Sequence, residues 1–145
     1  MHSCSMSDII KLIWIRFDTW EKVMNAEDAK YEFPCVYVLA ENDGTPMYIG
    51  STRSRLHDLH GKPRSGGLRS RYKQAWSVLD ACMKGTGRTV YVALVERELA
   101  YGIERQLTYD NKPEHNKQNK ETPPKIRFNL VHTGSPPVFK EGPLR

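Results

Sequence analysis

Apolar residues occur in short runs separated by polar, glycine-bearing stretches, and the spacing within each run predicts its element. Cys35-Val36-Tyr37-Val38-Leu39-Ala40 is a continuous, β-branched apolar run, which suits a buried strand. Glu41-Asn42-Asp43-Gly44 follows as a turn, because Gly accepts positive φ and Asp can bond its own backbone. Met47-Tyr48-Ile49-Gly50-Ser51 is then the second strand of a hairpin that brings Tyr37 and Tyr48 onto neighbouring strands. Gly50 ends that strand where a backbone can approach a ligand closely. Leu68, Tyr72, Ala75, Trp76, Leu79 and Met83 recur at three- and four-residue steps and predict a helix with Arg69, Arg71 and Lys73 on its first turns. Residues 88 to 96, centred on Thr89 to Val95, form a third strand. Residues 97 to 110 form a second helix, with Leu99, Ile103 and Leu107 inward and Ala100 and Glu104 on an adjacent stripe.

The flanks read differently. Ile9, Ile10, Ile13, Trp14, Phe17 and Trp20 are close to helical spacing and predict a helix within an N-terminal extension, residues 1 to 33, with a dimer contact as the alternative role. Pro34 separates this extension from the hairpin. Beyond the turn Asn111 to Asn116, the chain is polar and Pro-rich. Ile126 to Val131 is either an extra edge strand or a docked extension of residues 121 to 145, and the tail after Thr133 is expected to be irregular or mobile.

Charge sharpens this outline. The 145 residues carry a formal net charge of +5, but residues 51 to 88 hold nine Lys or Arg against two Asp, or +7, which leaves −2 for the rest. A positive field so concentrated points to a polyanionic partner. Arg53, Arg55, Lys62 and Arg64 lie in a Ser- and Gly-rich loop without alternating acids. The three cysteines, Cys4, Cys35 and Cys82, have neither metal-ligand spacing nor an even count for disulfides, so a reducing, cytoplasmic setting is expected. No run nears the ~20 apolar residues that cross a bilayer, and no secretory leader is recognisable, so no membrane partner is expected.

Strand, turn, strand, helix with Arg, strand, helix with Glu, then Pro and Asn: this order resembles the GIY-YIG nucleases. The first motif stands as Cys35-Val36-Tyr37 and the second as Tyr48-Ile49-Gly50; Leu68, Arg71, Ala100, Glu104, Leu107, Pro113 and Asn116 continue the resemblance over roughly residues 34 to 120. It implies an α+β domain with a small central three-stranded antiparallel sheet flanked by helices. It also implies a metal-dependent endonuclease acting on DNA. Tyr37 would orient or deprotonate the attacking water, Tyr48 would bond a phosphate oxygen, and Arg71 would grip the scissile phosphate with its planar fork. Glu104 would be the single protein ligand to Mg²⁺ or Mn²⁺, a hard cation that keeps most of its waters, and Asn116 would anchor the site. An ordinary phenol titrates near about 10, so a base role for Tyr37 needs a nearby cation. Gly50, Arg53, Arg55, Arg64, Arg69 and Lys73 would lie along the DNA.

Three departures mark this chain within that resemblance. Cys35 and Val36 stand where the family has Gly and Ile. The stretch from Gly50 to Arg71 is longer than in compact members, which leaves Arg69 as a rival to Arg71. Ala75 occupies a position where many members have His or Tyr, so His57, His60 or Lys73 would have to supply a second proton-handling group. The longer loop is similar to those of the restriction-enzyme branch, and a restriction, mobile-element or phage nuclease is the leading expectation. The alternatives are a structure-specific repair or recombination nuclease and a nucleic-acid-binding module without cleavage. A homodimer is expected if both strands of a duplex are cut.

Overall fold

The structure is a computed structural model that describes residues 9–19, 22, 34–52, 89–116, 118 and 120–140. Five strands, β1 (Ile9–Phe17), β2 (Cys35–Ala40), β3 (Pro46–Thr52), β4 (Thr89–Leu94) and β5 (Asn129–Gly134), form one sheet in the order β3-β2-β4-β1-β5. One helix, α1 (Arg97–Asn111), accompanies them among the described residues. The β2 strand pairs antiparallel with both β3 and β4, and β4 pairs antiparallel with β1, whereas β1 and β5 run parallel. The expected three-stranded antiparallel sheet flanked by helices is thereby corrected to a five-stranded mixed sheet. The helix expected over residues 68 to 83 lies outside the described residues.

The largest change is at the N-terminus, where the expected helix is instead strand β1. Its sequence, Ile-Ile-Lys-Leu-Ile-Trp-Ile-Arg-Phe, satisfies helical spacing at 9, 10, 13, 14 and 17, but it also alternates. Leu12 and Trp14 are buried, at 1% and 2% exposed, while Ile9 and Ile13 remain 63% and 61% exposed. Four isoleucines among nine residues favour the pleated arrangement, because β-branched side chains lose little freedom there. Parallel pairing with β5 then joins the described parts of the N- and C-terminal flanks to the sheet of the central region.

The hairpin turn closes through hydrogen bonds from Gly44 N to Glu41 O, 2.8 Å, and from Glu41 N to Thr45 O, 3.0 Å. Gly44 has φ of 92°. Asp43 Oδ1 accepts from Thr45 N at 2.9 Å, the local bond that aspartate offers a turn, and this bond lowers the Asp43 pKa. On one face of the sheet, Leu12, Trp14, Val36, Val38, Ile49 and Ala93 pack with Ile103 and Leu107 of α1. Each fully buried aliphatic side chain contributes about 1.5–3 kcal/mol, far more than the helix propensity of any residue in α1. Packing, more than propensity, therefore holds the helix in place.

Polar groups attach the C-terminal chain to this core. Asp110 and Arg127 form a two-pronged ion pair, with Nη1 to Oδ1 at 3.1 Å and Nη2 to Oδ2 at 2.6 Å, and the aspartate side chain is only 5% exposed. Gln106 accepts from Phe128 N at 2.6 Å and donates to Phe128 O at 2.9 Å. Residues 135–140 are irregular, as expected, but they are anchored. Ser135 N bonds Trp14 O, Val138 N bonds Gly44 O and Lys140 N bonds Asn111 Oδ1, at 2.9, 2.8 and 2.7 Å. The segment thus crosses from β1 to the hairpin turn.

Beneath this crossing, Trp14 Nε1 donates to His132 Nδ1 at 2.9 Å, and the His132 ring lies 4.7 Å from that of Phe139. Burial lowers the His132 pKa below the ordinary histidine range. The neutral imidazole, which alone offers Nδ1 as an acceptor, is the form that fits. Because the folded pKa lies below the unfolded value of about 6.5, the unfolded chain takes up the proton first as pH falls. This contribution to stability is full above about pH 6.5 and declines as pH drops towards the folded pKa. Urea denaturation of wild type and His132→Gln across pH 7.5 to 5 should show a steeper loss for wild type; parallel profiles would remove His132 as the source.

Candidate active site

Four consecutive residues of β3 meet the described members of the expected site. Tyr48 comes first, its ring centroid 6.3 Å from that of Tyr37 and tilted by 31°. The register pairs Tyr37 with Gly50 and Leu39 with Tyr48, so the two phenols are diagonal neighbours on one face. Gly50 makes that arrangement possible, since a Cβ built there would lie 2.5 Å from both Cζ and Oη of Tyr37. The close approach expected at Gly50 is therefore filled by the tyrosine ring.

Ile49 presents its backbone to the outer edge of the sheet. Asn116 Oδ1 accepts from Ile49 N and Asn116 Nδ2 donates to Ile49 O, both at 2.9 Å, so one carboxamide serves as an added piece of strand. A carboxamide carries donor and acceptor side by side, which neither carboxylate nor hydroxyl can imitate. His115 N bonds Met47 O at 2.9 Å, extending the cover along the same edge. A turn closed by Asn116 N to Pro113 O, 3.2 Å, brings this segment back after α1.

Ser51 completes the series by donating from Oγ to Glu104 Oε1 at 2.6 Å. This length is typical of a hydroxyl bonded to an ionised carboxylate. Ile49 packs with α1, so alternation turns Ser51 towards the helix and leaves Tyr48 and Gly50 on the opposite face. Sequence reasoning missed Ser51 as a site residue. Its signal was its place two residues after Ile49, on the strand face that meets the Glu104 helix.

Exposure differs within the site: Tyr37 is 0% exposed, whereas Tyr48, Ser51 and Glu104 are half-buried. Arg71, Arg69, Lys73, Arg53, Arg55 and Arg64 lie outside the described residues, as do Lys62, His57 and His60. Among the described residues, no group of three or more His, Cys, Asp or Glu is placed to hold a metal ion. A half-buried carboxylate steered by a hydroxyl nevertheless suits Mg²⁺ or Mn²⁺ bound through one protein oxygen, waters and phosphate oxygens. Among the described residues, no helix is long and apolar enough to cross a membrane.

Gly50→Ala should cost about 1–3 kcal/mol through overpacking against Tyr37. In a Tyr37→Ala background the same change should cost far less, and urea denaturation of the four proteins in the cycle measures the coupling. Additive losses would mean that the ring is not what the new methyl meets. Compared with protein-family models, curated proteins and solved structures, the chain has no match, so the site is read from its own residues.

Proposed function

We propose that this protein is a metal-dependent DNA endonuclease of GIY-YIG type that hydrolyses phosphodiester bonds. One observation chiefly supports the reading: residues 48 to 51 of β3 touch Tyr37, Asn116 and Glu104, three groups far apart in sequence. A structural explanation accounts for each contact singly, but it does not predict that a phenol pair, a carboxamide and a carboxylate converge on one short stretch. The sequence then runs from Thr52 into the basic segment that carries +7. Affinity for a polyanion would therefore be joined directly to the site.

On this reading Glu104 would hold Mg²⁺ or Mn²⁺. The bound cation would offset charge growing on the phosphoryl oxygens and ease departure of the 3′ oxygen. Tyr48 donates its hydroxyl to a phosphate oxygen, and Arg71, or Arg69 in its place, grips the scissile phosphate. Tyr37 orients the attacking water or takes its proton, which requires DNA binding to uncover a ring that is now fully buried. Asn116 keeps β3 in place through Ile49 and touches no reacting atom. A restriction, mobile-element or phage role, DNA as partner, a cytoplasmic setting and a homodimer for double-strand cleavage belong to the same proposal. The burial of Cys35, which pushes its thiol pKa up to about 12, agrees with an unreactive thiol in a reducing compartment.

Plasmid nicking with Mg²⁺ or Mn²⁺ tests the proposal. Wild type should cut only with metal, and Glu104→Ala should bind DNA without cutting it; equal activity of the two would remove Glu104 from the site. Of Arg71→Ala and Arg69→Ala, the variant that lacks the phosphate-gripping side chain should lose turnover by about two orders of magnitude or more. Binding by wild type with no cleavage under any metal would favour the non-catalytic module.

A further inference from the structure

We infer that Ser51 is a positioning residue of this site: its hydroxyl sets the Glu104 carboxylate in the orientation that receives the divalent cation. The inference rests on the nuclease reading of Glu104 and adds to it a residue that the family motifs quoted above do not include.

The geometry at both ends of the contact is firmly set. On the strand side, Ser51 pairs with Val36 in the β2-β3 register, two residues after Ile49, whose backbone is bonded on its outer edge by Asn116. Tyr37 lies over the residue between them. These contacts hold the Ser51 backbone against sliding along or tilting away from the sheet. On the helix side, Glu104 follows Ile103, which is 0% exposed, and precedes Leu107 by three residues, 3% exposed, so the α1 backbone is packed in place as well. Between these two backbones lies the glutamate side chain, with its several rotatable bonds. Its rotatable bonds would cost binding free energy if they had to be ordered by the cation itself.

A 2.6 Å bond from the Ser51 hydroxyl orders that chain beforehand. It engages Oε1, and since each carboxylate oxygen has two lone pairs, a hydrogen bond from Ser51 and a bond to a metal can share the group. Supporting partners of metal ligands typically change affinity by about 10- to 100-fold when removed. Such a contribution should appear chiefly as weaker metal binding. An ordinary surface hydrogen bond would have no such signature.

The test uses the full chain with Mn²⁺ as the probe, reading free Mn²⁺ by electron paramagnetic resonance with and without duplex DNA. Wild type, Ser51→Ala, Ser51→Thr, Ser51→Val and Glu104→Gln are compared. Ser51→Ala should bind Mn²⁺ about 10-fold or more weakly. Ser51→Thr should recover most of the affinity and Ser51→Val should not, which isolates the hydroxyl at nearly constant volume even if the alanine variant folds poorly. In plasmid nicking, the Mn²⁺ concentration for half-maximal rate should rise more than the rate at saturating Mn²⁺ falls. Equal Mn²⁺ affinity in Ser51→Ala and wild type, or equal weakness of the Thr and Val variants, would overturn the role of Ser51 while leaving Glu104 as ligand. Undiminished Mn²⁺ binding by Glu104→Gln would instead overturn the nuclease reading, and this inference with it.

Discussion

The pairing of β3 with β2 on one side and with Asn116 on the other is the constraint on which the described site depends. An edge strand ordinarily exposes a row of unbonded N–H and C=O groups and is free to twist, fray or recruit another strand. Here the outward groups of Ile49 are taken by one side chain and that of Met47 by the His115 backbone. Fixing Ile49 fixes its neighbours. Tyr48 and Gly50 are held on one face, where the Tyr37 ring fills the space left by the missing Cβ, and Ser51 is held on the other, within 2.6 Å of Glu104. A slip of one residue would reverse both faces and separate every one of these contacts.

The same device recurs elsewhere in the chain. Gln106 bonds both backbone groups of Phe128 just before β5 begins, and Asn111 donates to Leu107 O while accepting from Lys140 N. Asn116, Gln106 and Asn111 thus use carboxamides to attach irregular chain to regular structure. Burying such a group is favourable only when it is bonded, since an orphaned partner costs about 1–3 kcal/mol. Each carboxamide therefore discriminates strongly in favour of one path of the chain. With the Asp110–Arg127 pair, Gln106 and Asn111 make α1 the post to which the C-terminal segment is tied, as well as the carrier of Glu104.

How much of this was legible in the sequence follows from the range of each signal. The hairpin, β4 and α1 were readable because their information is local: a β-branched run, an Asp-Gly turn, a stripe at three- and four-residue steps. The tyrosine pair followed from hairpin geometry alone. β1 was misread because its apolar residues fit two periods at once, and the contacts that choose between them, with β4 and β5, lie more than 70 residues away in sequence. Of the two readings of Ile126 to Val131, the extra edge strand is the one found, as β5 displaced to Asn129–Gly134, but its parallel partner cannot be inferred from a turn. Ser51 was overlooked for a similar reason. A serine at the end of a strand means little until the helix that approaches it is known to present Glu104.

The division of the site between two faces of β3 limits how a substrate could reach it. A ligand lying flat on either face would meet the tyrosines or the carboxylate, not both. The outward backbone groups of Ile49 and Met47, in the middle of β3, are already bonded. The strand ends at Thr52, one residue after Ser51, and the sequence continues directly into the residues whose charge sums to +7. A polyanionic ligand attracted by the charge of that stretch of sequence would still meet the tyrosines and the carboxylate from opposite faces of β3.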